Sequence, residues 1–134
     1  MASKDKFPQI RKNNSFFQSL WHAVSGLVFA FKHEKNLKRH LVIAVLVLAL
    51  ALVLAVPKTE LLWLLAVIFI VFISELWNTA VEYIVDLLVQ KQFDPLAKRI
   101  KDVSAAIVLT AALLAVVVGV IIFGPHLLHL VTSR

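Results

Sequence analysis

The sequence contains no cysteine. A disulfide framework, a thiolate zinc site and a cysteine nucleophile are excluded with it. Glycine is almost as scarce, with three residues at positions 26, 119 and 124. Neither G-x-x-x-x-G-K-[ST] nor G-x-G-x-x-G can be built from them, which removes a glycine-rich phosphate cradle. Charge is sparse as well: 16% of the residues are Asp, Glu, Lys or Arg, against about 25% in an ordinary soluble domain. What fills the space is apolar. Hydrophobic residues make up 60% of the chain and the mean hydropathy is +0.88. That balance fits neither a soluble globular domain nor a disordered chain. At 134 residues there is room for one small domain.

Three apolar runs dominate. Residues 41–56 are unbroken. Residues 61–73 form the second run, which continues through Leu76, Trp77, Ala80, Val81 and Ile84. Residues 103–123 form a third run without a charge. A membrane-crossing helix needs about 20 mainly apolar residues. The third run meets that alone, the first borrows from its flanks, and the second carries polar residues at one end. Pro57, Lys58, Thr59 and Glu60 alone join the first two, which predicts a tight antiparallel hairpin. Asp94-Pro95 reads as an N-cap followed by proline at the first helical position, so a fresh helix starts there.

The segment before these runs is different. Residues 13–31 carry no charge. Phe16, Leu20, Ala23, Leu27 and Ala30 recur at helical spacing, with Ser15, Gln18, Ser19, His22, Ser25 and Gly26 along much of the other side. This pattern predicts an amphipathic helix lying in the membrane interface. No compact apolar core follows the first basic residues, so the segment does not read as a cleaved signal peptide. The expected architecture is all-α, with an interfacial helix over about 14–33 and membrane helices over about 37–56, 60–90 and 95–124 in one membrane-embedded domain. No repeat or other low-complexity segment is visible.

Charge sets the orientation. Lys4, Lys6, Arg11, Lys12, Lys32, Lys35, Lys38 and Arg39 precede the first span, and Lys91, Lys98, Arg99 and Lys101 lie between the second and third. Lys58 and Arg134 are all that the other side carries. Twelve against two places the N-terminus and the second loop in the cytoplasm. The net charge of +6 is accounted for by this anchoring and by anionic lipid head groups. The basic residues flank spans instead of forming a separate basic domain, so no nucleic-acid partner is expected.

The chemistry concentrates at the expected cytoplasmic end of the second span. At about 100° per helical residue, Asn78, Glu82 and Asp86 fall at about −60°, −20° and +20° from Glu75. Three carboxylates and an amide therefore share one stripe on an otherwise apolar surface. Carboxylates at membrane depth are costly and face a protein interior or a wet cavity. Stacked together they need a cation, bound protons or basic partners. Mg²⁺ suits them, since it takes oxygen ligands and commonly shares them with phosphates. The bland alternative is that the stripe pairs with Lys98, Arg99 or Lys101 and merely glues helices together.

Partners for the stripe lie on two other segments. Glu34 is the one acid within residues 32–40, and read alone it could be a surface acid among lysines. Lys98, Lys101 and Asp102 open the third span, and Lys98 with Asp102 could equally be a helix ion pair and a snorkelling anchor. The histidines offer less. His22, His33 and His40 fall on the expected cytoplasmic side and His126 and His129 on the other, so they do not form one metal site. Residue types and spacing thus reach a small helical membrane protein with an acidic, cation-friendly site. That fits an enzyme acting on lipid, an ion-coupled carrier using the acids as a relay, or a purely structural membrane protein.

A family resemblance extends this. Glu75-x-x-Asn78-Thr79-Ala80-x-Glu82-x-x-x-Asp86, followed by Leu96-Ala97-Lys98-x-x-Lys101-Asp102, resembles the signature of the short prokaryotic diacylglycerol kinases, which include the undecaprenol kinases. Phe31-x-x-Glu34-x-Asn36-x-x-x-His40 resembles their upstream motif, in the form of the undecaprenol kinase branch. The resemblance runs over about residues 15–123 in matching order. It implies a homotrimer in the bacterial cell membrane that transfers the γ-phosphoryl group of Mg-ATP to a lipid hydroxyl on the cytoplasmic side. Undecaprenol is the preferred acceptor and diacylglycerol the alternative. It implies Glu75 as general base and Glu34 and Glu82 as Mg²⁺ ligands. Asn78, Lys101 and Asp102 would stand around the phosphates, Asp86 near the nucleotide, and His22 toward the adenine. Asp94 departs from the family pattern, which often has His before Pro-Leu-Ala-Lys.

Glu34 and Lys101-Asp102 favour the kinase over the carrier, because they come from two other segments on the side where ATP is available. A carrier would also need polar residues throughout its spans, and the first span and the outer half of the second have almost none.

Overall fold

The computed structural model describes residues 15–132. Lys4, Lys6, Arg11, Lys12 and Arg134 from the charge pattern, and residues 13 and 14 of the expected interfacial helix, lie outside the described residues. The described chain is four helices: α1 (Phe16–His33), α2 (Lys35–Val53), α3 (Lys58–Leu88) and α4 (Pro95–Thr132). The last three are long and apolar enough to cross a membrane. With 31 and 38 residues, α3 and α4 reach well beyond a hydrocarbon core of about 30 Å at about 1.5 Å per residue.

The helix boundaries have local causes. Ser15 caps α1, its hydroxyl accepting from the Gln18 N–H at 3.2 Å. Glu34 is the one residue outside a helix between α1 and α2, held extended at φ −92 and ψ 119. The Asp94 carboxylate accepts from the N–H groups of Leu96 and Ala97, both at 2.8 Å, so it is the expected cap of α4.

The shortage of glycine shows in the turns. The α2–α3 turn closes with Val56 N–H on Ala51 O and Ala55 N–H on Leu52 O, a Schellman pattern. Ala55 occupies the left-handed position at φ 51, where glycine would be free of strain. Gln90 and Lys91, at φ 49 and 61, play the same part after α3. All three glycines lie within helices instead, Gly26 in α1 and Gly119 and Gly124 in α4.

Two helix ends differ from the sequence expectation. The Schellman closure ends α2 at Val53, short of 56. In the other direction, α4 passes Gly124 and Pro125 and continues to Thr132. A proline inside a helix forfeits one backbone hydrogen bond. The loss is confined to one turn, beyond which His126 is tied to α3.

α3 is the central element. It packs extensively along α4 and less against α2. Leu37 and Leu64, each 1% exposed, are the largest fully buried side chains. Away from the acidic residues, Ala51, Leu64 and Ile122 form a small core against Val47, Val56, Leu61, Val118 and Phe123. Most other large apolar side chains on the three long helices face outward. In water that surface would be prohibitive, and in a bilayer it is solvated by lipid tails.

Candidate functional site at the acidic end of the bundle

The antiparallel hairpin and the α3–α4 loop bring the start of α2, the end of α3 and the start of α4 to one end of the bundle. The polar half of α3 is buried there. Ser74, Glu75, Asn78 and Thr79 are all buried on the same helix that elsewhere presents Ile73 and Trp77 outward. The expected stripe is visible in its bonding: Asn78 Nδ2 donates to Glu82 Oε1 at 2.9 Å, across one helical turn.

Glu75 is the deepest acid, with its side chain 5% exposed. His40 of α2 meets it, Nε2 to Oε1 at 2.9 Å. A buried carboxylate without a partner would be strongly destabilising. With Nε2–H as donor, His40 gives one carboxylate oxygen a hydrogen-bond partner. Glu34 and Glu82 are near enough to act electrostatically on Glu75. The Tyr83 ring lies against Phe29 of α1, 5.6 Å between ring centroids. His40, Glu75, Glu34, Glu82 and Asn78 thus form one group, contributed by α2, the α1–α2 junction and α3.

Asp86, Lys101 and Asp102 form a second group. Lys101 of α4 pairs with Asp86 of α3, and Lys98 pairs with Asp102 within α4. Together with Lys91, Gln92, Phe93 and Asp94 they line a pocket of about 580 Å³ under the α3–α4 loop. Lys101 thus meets Asp86, the outermost acid of the stripe, in the inter-helix pairing that the sequence offers as one alternative. The Lys98–Asp102 pair is exposed on both sides, and such pairs contribute little to stability. His22 is exposed on α1 and belongs to neither group. The carboxylate of Asp94 is engaged by the α4 cap, which gives a structural use to the residue that departs from the family pattern.

Among the described residues, no three His, Cys, Asp or Glu converge tightly enough to hold a metal by themselves. The donor set nevertheless suits Mg²⁺. Glu34 and Glu82 offer carboxylate oxygens, and Asn78 Oδ1 is buried with no hydrogen-bond partner. Mg²⁺ is commonly held by one or two carboxylates with substrate phosphates completing its shell. The pair of acids and the orphaned amide oxygen match that pattern.

An apolar groove of about 570 Å³ runs between α2, α3 and α4, from His40 at the acidic end to Leu127 at the other. Ala44, Val67, Val71 and Gly119 are among its walls. A polar head at Glu75 and an apolar tail along the groove is an arrangement that a lipid alcohol can occupy.

Sequence reasoning missed one member of the first group. His40 stood in the upstream motif, but nothing local to α2 said that it would meet Glu75.

Comparison with known proteins gives the family. The family model for prokaryotic diacylglycerol kinase matches residues 21–123. The chain belongs to the prokaryotic diacylglycerol kinase family. This makes it a lipid kinase and sets aside the carrier and the purely structural protein. An undecaprenol kinase of Bacillus subtilis is 35% identical over 129 residues, covering 95% of this chain and 100% of that protein. A diacylglycerol kinase of Synechocystis is 38% identical over 112 residues, covering 84% of this chain and 64% of that protein. A diacylglycerol kinase of Helicobacter pylori is 29% identical over 123 residues, covering 92% of each chain.

Proposed function

We propose that this lipid kinase transfers the γ-phosphoryl group of Mg-ATP to undecaprenol, giving undecaprenyl phosphate and ADP. The observation that carries the proposal is Glu75, a buried carboxylate held by His40 where the apolar groove meets the acidic cluster. The lipid hydroxyl approaches Glu75 while its chain remains among apolar side chains. The hydroxyl oxygen forms a bond to the γ-phosphorus, the bond from that phosphorus to the bridging oxygen breaks, and ADP leaves with the electron pair. The hydroxyl proton passes to the Glu75 carboxylate. General-base help of this kind contributes about 10²–10⁴-fold. Phosphoryl transfer otherwise asks mainly for positioning and charge neutralisation.

Mg²⁺ held by Glu34 and Glu82, with Asn78 beside them, would neutralise phosphate charge. Lys101 and Asp102 are assigned to the phosphates and Asp86 to the nucleotide, which requires the Lys101–Asp86 pair to open or to share its lysine. His22 is assigned to the adenine side, brought there by α1. We further propose that α1 lies in the interface, that the acidic end faces the cytoplasm of a bacterial cell, and that the protein works as a homotrimer. Three thin helices enclose the site incompletely, and a neighbouring copy would close it. The full-length similarity to an undecaprenol kinase favours the isoprenoid acceptor. The similarity to two diacylglycerol kinases supports diacylglycerol as the second reading.

The test is purified protein in bilayer discs, given Mg²⁺ and γ-labelled ATP with a panel of undecaprenol, shorter isoprenols and diacylglycerol. Label is expected on undecaprenol faster than on diacylglycerol. Faster labelling of diacylglycerol would move the assignment to the second reading. No label on any lipid alcohol would overturn both.

A further inference from the structure

Two His–Glu pairs tie α3 to its neighbours, and they stand differently toward the apolar groove. His40, which meets Glu75, is on the groove wall. His126, which meets Glu60, is not, although the groove runs as far as Leu127. Among the described residues His40 is also the one polar side chain on that wall, where every other residue is aliphatic, phenylalanine or glycine. Glu75 does not line the groove. Its side chain is 5% exposed against 23% for that of His40. A hydroxyl at the head of a chain lying in the groove therefore meets the imidazole before the carboxylate.

A neutral imidazole has one N–H and one lone pair, and the bond made by one nitrogen decides what the other offers. His40 Nε2 lies 2.9 Å from Glu75 Oε1. An ionised carboxylate only accepts, so the contact draws the proton to Nε2 and leaves the lone pair on Nδ1. No described residue bonds that nitrogen. We propose that His40 is a catalytic residue of this kinase: at the head of the groove its Nδ1 takes the proton of the lipid hydroxyl while its Nε2 passes a proton to Glu75. As the hydroxyl oxygen bonds to the γ-phosphorus, its proton ends on Nδ1 and the Nε2 proton ends on Glu75 Oε1. ADP leaves with the electron pair of the broken bond, and the ring stays neutral with its tautomer exchanged. Glu75 remains the final base, and the imidazole is its reach into the groove. Shuttling a proton between its two nitrogens is chemistry to which imidazole is suited and an amide is not.

The inference rests on the role proposed for Glu75, and its test separates the two. His40→Gln keeps an amide N–H for Glu75 but has no nitrogen lone pair to take a proton. Phosphorylation of undecaprenol should fall by about 10²–10⁴-fold, the range of a proton-transferring side chain, with calorimetric Mg-ATP affinity unchanged. The double variant with Glu75→Gln should be no slower than Glu75→Gln alone, since both residues serve one proton. His126→Gln, at the far pair, should keep the wild-type rate. A second arm needs neither ATP nor a lipid alcohol, and no His40 variant has to fold. The chain has five histidines, and in ¹⁵N-histidine spectra His40 is the ring whose signals move in Glu75→Gln. That ring is expected to be protonated at Nε2 and bare at Nδ1. A proton on Nδ1, or no ring that responds to Glu75→Gln, would overturn the inference. So would a His40→Gln protein that keeps the wild-type rate, which would leave Glu75 as the direct base and His40 as its support. A wild-type protein that phosphorylates no lipid alcohol would overturn the proposed function and the inference together.

Discussion

The two ends of the bundle carry the same pair in different settings. At the acidic end His40 meets Glu75, and at the far end His126 meets Glu60, each at 2.9 Å. Both pairs tie α3 to a neighbouring helix. The Glu75 side chain is 5% exposed and the Glu60 side chain 39%. Around Glu75 stand Glu34, Glu82 and an unsatisfied Asn78 oxygen. The far end instead has an apolar core of Ala51, Leu64 and Ile122. A solvated ion pair is worth little and disturbs little. A buried carboxylate among other acids is costly, which is the physical ground for proposing a chemical role for it. Burial and company, not the pair itself, separate site from fastening.

The sharpest way to break this contrast is to neutralise the two glutamates in turn. Glu75→Gln should lower the rate of lipid phosphorylation by about 10²–10⁴-fold, the contribution of a general base, as read from labelled phosphate transfer. Glu82→Gln comes next. It should weaken Mg-ATP binding by about 10-fold or more, since even outer partners of a bound metal are worth about 10–100-fold, and turnover should fall with it. Calorimetry and initial rates on one preparation separate those two losses.

At the far end the effects should be small and structural. Glu60→Gln should cost at most about 1 kcal/mol of stability, the range of an exposed pair, and leave turnover within error. Thermal unfolding in detergent and the same labelled-phosphate assay check this. Ala55→Gly should do the reverse and raise the unfolding temperature slightly. It removes a left-handed penalty of about 1–2 kcal/mol and returns about 0.5–1 kcal/mol of it as glycine's extra backbone freedom. A change in turnover from either variant would show that the far end takes part in the reaction.

How much of this was readable beforehand follows from the range over which each signal acts. The apolar runs, the Asp94-Pro95 start of α4 and the face shared by Glu75, Asn78, Glu82 and Asp86 are periodicities within one helix, and they were legible. The Asn78–Glu82 bond is that face made visible. Pairings between helices were not legible. His40 and Glu75 lie on α2 and α3, and their meeting depends on the register of the hairpin, which no local pattern states. Lys101 had been named as one possible partner of the stripe, and it took Asp86, leaving the deeper acids free of lysine. The left-handed Ala55, Gln90 and Lys91 were invisible because the usual marker of such positions, glycine, is absent from them. The extension of α4 past Pro125 was hidden because Gly124-Pro125 carries a strong local stop signal, which the helix passes before His126 ties it to Glu60.

The stripe itself separates into roles by depth. Glu75 and Glu82 are two helical turns apart, about 10 Å along the axis, and His40 engages the deeper one. If the deeper acid serves the lipid hydroxyl and the shallower one the metal, Glu75→Gln must remove rate without removing nucleotide. The decisive measurement is therefore a calorimetric titration of Mg-ATP into the Glu75→Gln protein, on the preparation whose lipid phosphorylation has been assayed. Affinity close to that of the wild type, with turnover almost abolished, is the predicted result. Affinity lost in step with turnover would place Glu75 on the nucleotide side and contradict its role as the base.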